Sequence, residues 1–491
     1  SGTLDSISIY PKLIQLINKK IEINEIVINS PRVTVEIKDT ADTKKIREEA
    51  GLSLLEIFEQ NIKDFTSLSS KFEGIILEIN NGSLNIDKNE NTILDFSNIK
   101  SFYKSDGQII SVGINCNSNF SKEIKLKANL NIDKSTGNGL IELTGFMPHK
   151  LAKYFYNSSR YSLENSNTDL VIDIPSFTFD SKIPQSIKGD ISGNLYKLKL
   201  ASADKEVILR GRKFNGSFNL DKEEKKVSIS KLNLDYPKLE LNGELSMANS
   251  PKTVNLIIGG KNVDISSLRK ASLSILGDIS ITQKIFEIVK SGDLDWIELE
   301  TKGFSFRELF KHENYKIRGH MINGEIYVPN INWTLNDVSG DAYIYDGILE
   351  GKNLKGRHAN TLAHDGKLKI GLSKKRDIFQ LDIGVHGDIK DVPTYLRQFI
   401  NDKKFVNEIS LISDIKGDVD GRLVLGDKKS SIDVKFDASN FNLSANYQRI
   451  PYPVTIKEGS MSYEKSRIRT KNLSGNIGAS MFSNLSSKFD W

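Results

Sequence analysis

Six histidines are the side chains of this 491-residue chain with the most versatile chemistry, because an imidazole can act as an acid, a base or a metal ligand. They are His149, His312, His320, His358, His364 and His386. None belongs to an HExxH motif, and no two stand four residues apart, the spacing that places two imidazoles on one helical face. His358 and His364 flank a turn and are expected at the surface. The spacing therefore predicts neither a zinc site nor a histidine-dependent catalytic centre.

Other chemistry-bearing segments are equally weak. GDVDG, from Gly417, is similar to the start of a calcium loop but lacks the later glutamate, so we interpret it as a hairpin between strands. Cys116, in GINCNSN, has no neighbouring basic residue to activate its thiol. The sequence contains no GxSxG elbow, no P-loop and no strand-linked GxGxxG. We expect no enzyme activity, no catalytic residues, no metal site and no cofactor.

One catalytic alternative stays open, a β-helical polysaccharide-active enzyme. Such an enzyme needs carboxylates and aromatic side chains clustered on one outer face. The chain has only 3 tryptophans, and its aspartates fall mostly at turns, so this alternative is disfavoured.

Composition limits the classes of partner and of protein to which this chain could correspond. The 68 basic and 63 acidic side chains are spread through the sequence without a dense basic block, so no nucleic-acid binding is expected. A single cysteine excludes a disulfide framework. No apolar run approaches the ~20 residues of a membrane span, and no signal peptide is visible, so we expect the natural start to lie upstream. Hydrophobic residues at 38% and charged residues at 27% suit half-buried strands joined by polar turns.

Period-two alternation dominates the chain. In KLNLDYPKLELNGELSM, from Lys231, apolar residues alternate with polar ones, the phase slips at Pro237, and the alternation resumes at Leu239. This pattern predicts a strand, a break and a second strand, each with one apolar face. Asn81-Gly82 is expected to form a hairpin turn. Apolar residues at helical spacing predict helices over residues 43–63, 147–155, 265–275, 281–292 and 392–400.

Three pairs of segments look like repeats. IEINEIVINSPRVTVEI aligns with VSISKLNLDYPKLELNG at an offset of 206, placing Pro31 on Pro237. The glycines and asparagines of residues 340–361 match those of residues 459–480 at an offset of 119. GGKNVDI and VHGDIKDV pair at an offset of 127. We interpret these as one strand-rich module used repeatedly with drift.

So many amphipathic strands raise the question of what covers their apolar faces. A few short helices are poor candidates for covering about two dozen strands. Two sheets could face each other in a closed sandwich or β-helix. Alternatively, one long sheet could curl into a trough whose apolar floor accepts apolar guests.

The sequence resembles the AsmA-like family, whose members are similar to the eukaryotic bridge-like lipid-transfer proteins. The resemblance rests on residues 7–37, on FEGIILEINNGSLNIDKNENTILDFSNIK, on residues 324–370 and on residues 454–491. It implies a mainly β fold, in which a long, curled, antiparallel-rich sheet forms an elongated open groove, with a few short helices. The implied divisions are residues 1–64 (N-terminal strands and linker helix), 65–310 (central groove repeats) and 311–491 (C-terminal repeats).

The resemblance also implies a function: a periplasmic protein that carries phospholipid acyl chains between the inner and outer membranes. It would be anchored in the inner membrane by a helix upstream of this sequence, and an outer-membrane protein would be a further partner. An alternative is a structural or assembly factor for the outer membrane that conducts no lipid. The lipid-binding residues are predicted on the inward faces of the strands: Ile26, Ile28, Val33, Val35, Leu126, Leu130, Ile132, Leu232, Leu234, Leu239, Leu241, Phe379, Leu381, Ile383, Ile432, Val434 and Phe436.

Overall fold

The computed structural model describes residues 1–37, 60–62, 64–67, 72–88, 91–155, 162–179, 186–202, 205–329, 331–373, 376–399 and 402–490. The chain divides into two compact units. Unit 1 comprises Ser1–Ile258 and Lys302–Leu309, and unit 2 comprises Gly259–Thr301 and Phe310–Trp491. The three divisions expected from the sequence remain a prediction.

The strands of unit 1 are β1 (Gly2–Thr3), β2 (Ser6–Pro11), β3 (Ile23–Asn29), β4 (Arg32–Ile37), β5 (Ile76–Lys88), β6 (Asn91–Ser105), β7 (Ile109–Ser118), β8 (Glu123–Asn131), β9 (Thr136–Phe146), β10 (Ser162–Thr178), β11 (Ile187–Ser202), β12 (Lys205–Leu220), β13 (Glu224–Tyr236) and β14 (Leu239–Asn249). Strand β15 (Lys252–Asp264) contains the boundary between the units. The strands of unit 2 are β16 (Val289–Gly303, of which the last two residues belong to unit 1), β17 (Tyr315–Val328), β18 (Trp333–Tyr345), β19 (Ile348–His358), β20 (Thr361–Gly371), β21 (Phe379–Asp388), β22 (Ile412–Asp427), β23 (Ile432–Tyr447), β24 (Val454–Glu464), β25 (Arg467–Ile477) and β26 (Ser480–Asp490). The helices are α1 (Leu13–Ile17), α2 (Pro148–Phe155), α3 (Ile265–Leu276), α4 (Ser280–Ile288), α5 (Val392–Phe399) and α6 (Lys403–Ser410), with short 3-10 turns at Phe306–Phe310, His312–Asn314 and Ile389–Asp391.

Within each unit the sheet is a long series of antiparallel neighbours. From β5 to β14, and again from β16 to β26, each strand pairs with the next one along the chain. The parallel pairs are β3 with β5 and β4 with β5. The predicted fold class, mainly β with a long antiparallel-rich sheet and a few short helices, is confirmed.

Most predicted elements are confirmed. β13 and β14 form the strand pair on either side of Pro237, and α2 to α5 lie in the predicted segments, although α4 ends at Ile288 and the rest of the predicted 281–292 segment is the start of β16. Most of the predicted helix over residues 43–63 lies outside the described residues. The part of it that the structure describes, residues 60–62, is helical. Two helices were missed: α1, and α6, whose Asp402 side chain accepts hydrogen bonds from the backbone N–H groups of Lys404 and Phe405 at 2.8 and 3.0 Å.

Two predicted turns are wrong. Asn81-Gly82 lies inside β5, and GDVDG lies inside β22. Asn81 has a φ of 56°, and Gly417, the first residue of GDVDG, has a φ of 124°. Both residues adopt turn-like backbone angles inside a continuous strand, Asn81 at a register shift and Gly417 between two such shifts, so neither segment forms a hairpin.

Such bulges recur through both units. Asparagine or aspartate adopts a left-handed φ, between 41° and 56°, at a register shift inside eleven strands: Asn81, Asn98, Asn165, Asn323, Asp337, Asn353, Asp365, Asp414, Asn440, Asn472 and Asn484. These residue types tolerate this conformation best after glycine. Each bulge bends its strand and increases the local twist. The abundance of Asn and Asp in this chain therefore encodes bends as well as hairpin turns.

The repeats have different structural meanings. At the offset of 119, Gly340 and Gly459 both have positive φ, and Asn353 and Asn472 share a φ near 55°, at 55° and 53°. That repeat specifies a bulge. At the offset of 127, a strand is followed by a helix in both copies, α3 and α5. The offset of 206 is misleading, because Pro31 separates two strands that run in the same direction along β5, whereas Pro237 lies in a hairpin.

Helices cover part of the apolar face in unit 2, contrary to the expectation that helices would contribute little. Ile265 of α3, Ile281 and Ile288 of α4, and Phe405 of α6 belong to one core with the strands. The Phe405 ring lies 6.3 Å from the ring of Tyr463 on β24. Four short helices are enough to cover this apolar face because the sheet itself curls around the same core.

Replacing a bulge residue tests whether the left-handed positions are required. We expect Asn472→Val to lower the free energy of unfolding by about 1–2 kcal/mol, because a β-branched residue resists positive φ. Asn472→Gly is the matched control and should leave stability within about 0.5 kcal/mol of the parent. Urea unfolding followed by circular dichroism would measure both, and equal effects would show that the conformation is not the constraint.

Candidate functional site

In unit 1 the strand register aligns apolar side chains into rows that cross the sheet. The longest row, ladder B, contains directly paired residues from twelve strands, β2 to β14 without β4. Its members are Ile7, Ile28, Ile79, Ser101, Ile114, Leu126, Ile141, Ile172, Ile191, Gly216, Ile229 and Gly243. Paired residues project from the same face of a sheet. Ladder B is therefore a mostly aliphatic row, interrupted at Ser101, Gly216 and Gly243, that runs about 50 Å along the sheet at ~4.8 Å per strand.

Two further rows flank it. Ladder A contains Ile9, Ile26, Leu77, Tyr103, Val112, Ala128, Gly139 and Ile174. Ladder C contains Cys116, Ile124, Leu143, Leu170, Gly193, Phe214, Leu232 and Leu241. The rows between them, on the opposite face, are mostly polar, for example Asn115, Lys125 and Glu142. The sheet thus has one apolar and one polar face.

The apolar face of unit 1 is only partly shielded from solvent. From Ile28 to Gly243, every member of ladder B is half-buried, and none reaches the full burial of a core side chain. Among the predicted site residues, Ile26, Ile28 and Leu126 lie in ladders A and B and are half-buried. Val33 and Val35 pair with Leu84 and Ile86 on β5 and are exposed.

One end of this face is closed by protein. Leu130 is buried in a cluster with Ile110 and Phe177, and Ile132 packs against that cluster. The helical residues 64–67 supply Phe65, whose ring contacts Tyr103 edge-on with centroids 6.0 Å apart. Leu130 and Ile132 are therefore core residues in this structure, beside ladder A.

The β13–β14 hairpin carries the four leucines that the sequence singled out. Leu232 pairs with Leu241 at the end of ladder C, and both are half-buried. Leu234 pairs with Leu239, and both are buried. The side chain of Leu234 also lies against Gly211: a Cβ added to Gly211 would be only 3.1 Å from a methyl carbon of Leu234. The hairpin thus ends the apolar face with a tightly packed pair.

Unit 2 builds the same kind of rows and buries most of their members, although Phe489 at the end of one row is exposed. Ladder D contains Ala342, Gly351, Leu368, Leu381, Leu425 and Val434. Ladder E contains Ile383, Leu423, Phe436, Tyr463, Ile468 and Phe489. The predicted residues Phe379, Leu381, Ile383 and Phe436 are buried, while Ile432 and Val434 are half-buried. All six belong to one core.

Two adjoining apolar cavities lie inside unit 2. The first has a volume of about 90 Å³ and the second about 80 Å³, and both are lined by Leu381 and Ile383. Leu335 on β18 and Val434 on β23 line the same cavity. Five strand spacings separate those strands, about 24 Å along a flat sheet, so the sheet must curl to bring them together. Apolar cavities of roughly 150 Å³ stay dry and accept apolar guests, so this space suits hydrocarbon.

Sequence reasoning missed much of the cavity lining. The missed residues include Val328, Trp333, Leu335, Ala363, Val419 and Leu423. They alternate within strands rich in Gly, Asn and Asp, where bulges interrupt the period-two pattern. Because the bulges cannot be located from the alternation alone, no signal in the sequence singles these residues out.

The polar face holds histidine, aspartate and asparagine side chains that pair with one another. His320 Nδ1 lies 2.9 Å from Asp341 Oδ1, and Asn353 donates to Asp341 at 2.9 Å. These two contacts hold the pKa of Asp341 below the usual value of an aspartic acid. Asp420 has the same kind of contacts: Asn440 donates to it at 3.0 Å, and His386 Nδ1 lies 2.7 Å from its Oδ1. These two contacts hold the pKa of Asp420 below the usual value of an aspartic acid.

The other chemistry-bearing side chains are also accounted for structurally. His358, expected at the surface, is half-buried and stacks on Trp333 with ring centroids 5.0 Å apart, whereas the side chain of His364 is 52% exposed. Cys116 is buried, and burial raises the pKa of its thiol. Within the described ranges, no group of three or more His, Cys, Asp or Glu side chains could hold a metal ion.

No family model, curated protein or solved structure matches this chain. Among the described helices, none is both long and apolar enough to cross a membrane.

Truncating one ladder residue in each unit tests the difference in burial. We expect Leu381→Ala to destabilise the protein by about 2–5 kcal/mol, since Leu381 is 3% exposed in a packed core. Leu126→Ala should lower the free energy of unfolding by only about 1–2 kcal/mol, because a half-buried side chain is only partly removed from water and contributes less hydrophobic stabilisation. Unfolding in denaturant, followed with a separate probe in each unit, would compare the losses of stability in the two variants. A larger loss for Leu126→Ala would mean that ladder B is itself a packed core.

Proposed function

We propose that this chain is an AsmA-like lipid carrier that binds phospholipid acyl chains along its apolar ladders. In this proposal it acts in the periplasm, moves lipid between the inner and outer membranes, and has no enzymatic activity. The observation that carries the proposal is ladder B, a row across twelve strands in which nine members are aliphatic and which stays half-buried from Ile28 to Gly243.

The size of this face favours a ligand. Monomeric soluble proteins rarely leave apolar patches larger than a few hundred Å² exposed. Three rows about 7 Å apart, along a contour of about 50 Å, outline a face on the order of 700 Å². Lipid chains are a suitable cover because they are apolar, flexible and able to follow a long narrow row.

The energetics suit transfer along the row. Each methylene moved from water to an apolar environment gains ~0.8 kcal/mol, so an acyl chain strongly prefers the face to water. Neighbouring rungs, such as Leu126 and Ile141, offer nearly the same surface. A chain that slides by one strand spacing exchanges equivalent contacts, so movement along the ladder meets little change in free energy.

The charged headgroup requires a different environment. Burying an ionised phosphate without partners is strongly unfavourable. A half-buried face lets the headgroup remain in water while the tails contact the ladder. The cavities of unit 2 contribute further apolar lining, with Val385 and Leu423 among the side chains that contact the space.

Native mass spectrometry with lipid extraction tests the proposal. We expect the purified chain to carry phospholipid, and Leu126→Asp combined with Ile191→Asp to lose most of it, because two carboxylates would interrupt ladder B. The matched control is Lys127→Asp with Ser192→Asp, which places the same charges on the polar face of the same two strands. Circular dichroism checks that each variant folds.

Two results would contradict lipid binding by the ladder. One is a folded parent protein that carries no lipid, which would favour the assembly-factor alternative. The other is equal loss of lipid from both double variants, because the polar-face charges should not reach the acyl chains.

A further inference from the structure

The most exposed apolar side chains of unit 1 are concentrated at one short protrusion. The docking tip, residues 12–21, comprises α1 and the turn that leads to β3. Leu13, Ile14, Ile17 and Ile21 are 75%, 76%, 81% and 83% exposed. Four large apolar side chains at such exposure within nine residues are unfavourable in water, unlike scattered surface residues.

The tip is held in a fixed conformation. The backbone N–H of Lys12 donates to the carbonyl of Glu22 at 2.8 Å, which closes the loop at its base. At the end of α1 the N–H of Lys20 donates to the Gln15 carbonyl at 2.8 Å, and the N–H of Lys19 donates to the Leu16 carbonyl at 3.0 Å. This is a Schellman cap, with Lys19 at a φ of 61° in the position usually taken by glycine. The apolar residues are therefore presented by an ordered element.

Basic residues border the apolar ones. Lys19 and Lys20 lie between Ile17 and Ile21, and neither forms an ion pair with a described residue. Lys12 pairs with Glu22 at 3.5 Å, so its charge is locally balanced. Two ammonium groups without an ion-pair partner among the described residues thus lie beside four exposed aliphatic side chains, which makes the segment amphipathic.

We propose that this docking tip binds the surface of an anionic lipid bilayer. The apolar side chains would enter the boundary between headgroups and acyl chains, and the two lysines would contact anionic headgroups. A bilayer surface supplies both kinds of contact to a small convex element, whereas a protein partner would need a matching concave apolar pocket. This inference goes beyond acyl-chain binding, because a surface-docking tip requires no groove.

The position of the tip in unit 1 fits this partner. Ile9 and Ile7, the β2 members of ladders A and B, directly precede it and are 58% and 52% exposed. The apolar ladders thus begin beside the tip. A tip seated on a bilayer would bring the first rungs of both ladders close to the lipid.

Vesicle flotation tests the proposal with the full chain. We expect it to float with phosphatidylcholine vesicles that contain phosphatidylglycerol, and more weakly with phosphatidylcholine alone. Ile14→Glu with Ile17→Glu should reduce binding roughly tenfold or more. Lys19→Gly should weaken binding a few-fold and reduce its salt sensitivity, while glycine preserves the cap. The matched control is Met481→Glu, at a position 84% exposed on β26, which should bind like the parent.

Several outcomes would overturn it: no binding to either vesicle, binding unchanged by Ile14→Glu with Ile17→Glu, or equal loss from Met481→Glu. Self-association of the parent in light scattering, abolished by the same double variant, would assign the tip to a second copy instead. Lipid binding by ladder B and bilayer binding by the docking tip can be disproved independently of each other. The tip variant should keep its co-purified lipid, and Leu126→Asp with Ile191→Asp should keep its vesicle binding.

Discussion

The structure depends on the register that keeps apolar side chains opposite one another from strand to strand. The side-chain period of a strand is two, so a slip of one residue would turn every following side chain to the other face. Each bulge introduces such a slip, and the sequence compensates by shifting its own alternation. On β5 the apolar residues change from Leu77 and Ile79 to Leu84 and Ile86 across Asn81. The bend at each bulge is thus obtained without losing the apolar face.

The two units use one design and differ in how it is covered. In unit 2 the sheet curls, helices α3 to α6 pack into it, and ladder D and most of ladder E become core with two adjoining cavities. In unit 1, ladders A to C remain largely half-buried, although protein closes the end near Leu130. The sequence difference is modest, since both units alternate aliphatic and polar residues. What differs is the local supply of helices, which follow β15 and β21 in unit 2.

Much of the fold could be predicted from the sequence, because alternation is a local signal and its cause is local. The pairing of Leu232 with Leu241, and the presence of α2 to α5, needed only spacing. The bulges could not be distinguished from turns, since Asn81-Gly82 has the same favourable residues for either. The cavity lining could not be predicted, because it depends on strands far apart in sequence, such as β18 and β23. The exposure of Val33 and Val35, and the burial of Leu130, likewise depend on which segments lie above them.

The ladders and the docking tip together suggest a physical route for a lipid. Tails leaving a bilayer near α1 would meet Ile7 and Ile9 first, then a row of equivalent aliphatic contacts along unit 1. In this proposal the row binds and releases lipid without any covalent step. Direction and energy would come from outside the sheet.

The most direct measurement is photo-cross-linking from adjacent residues on opposite faces of β8. A photoreactive side chain would replace Leu126 in ladder B, and in a second protein Lys127 on the polar face, each exposed to native lipid before irradiation. The account predicts covalent phospholipid adducts at position 126 and few at position 127, detected by mass spectrometry of the digested protein. Equal adducts at both positions, or none at position 126, would contradict the claim that the apolar ladders are covered by lipid.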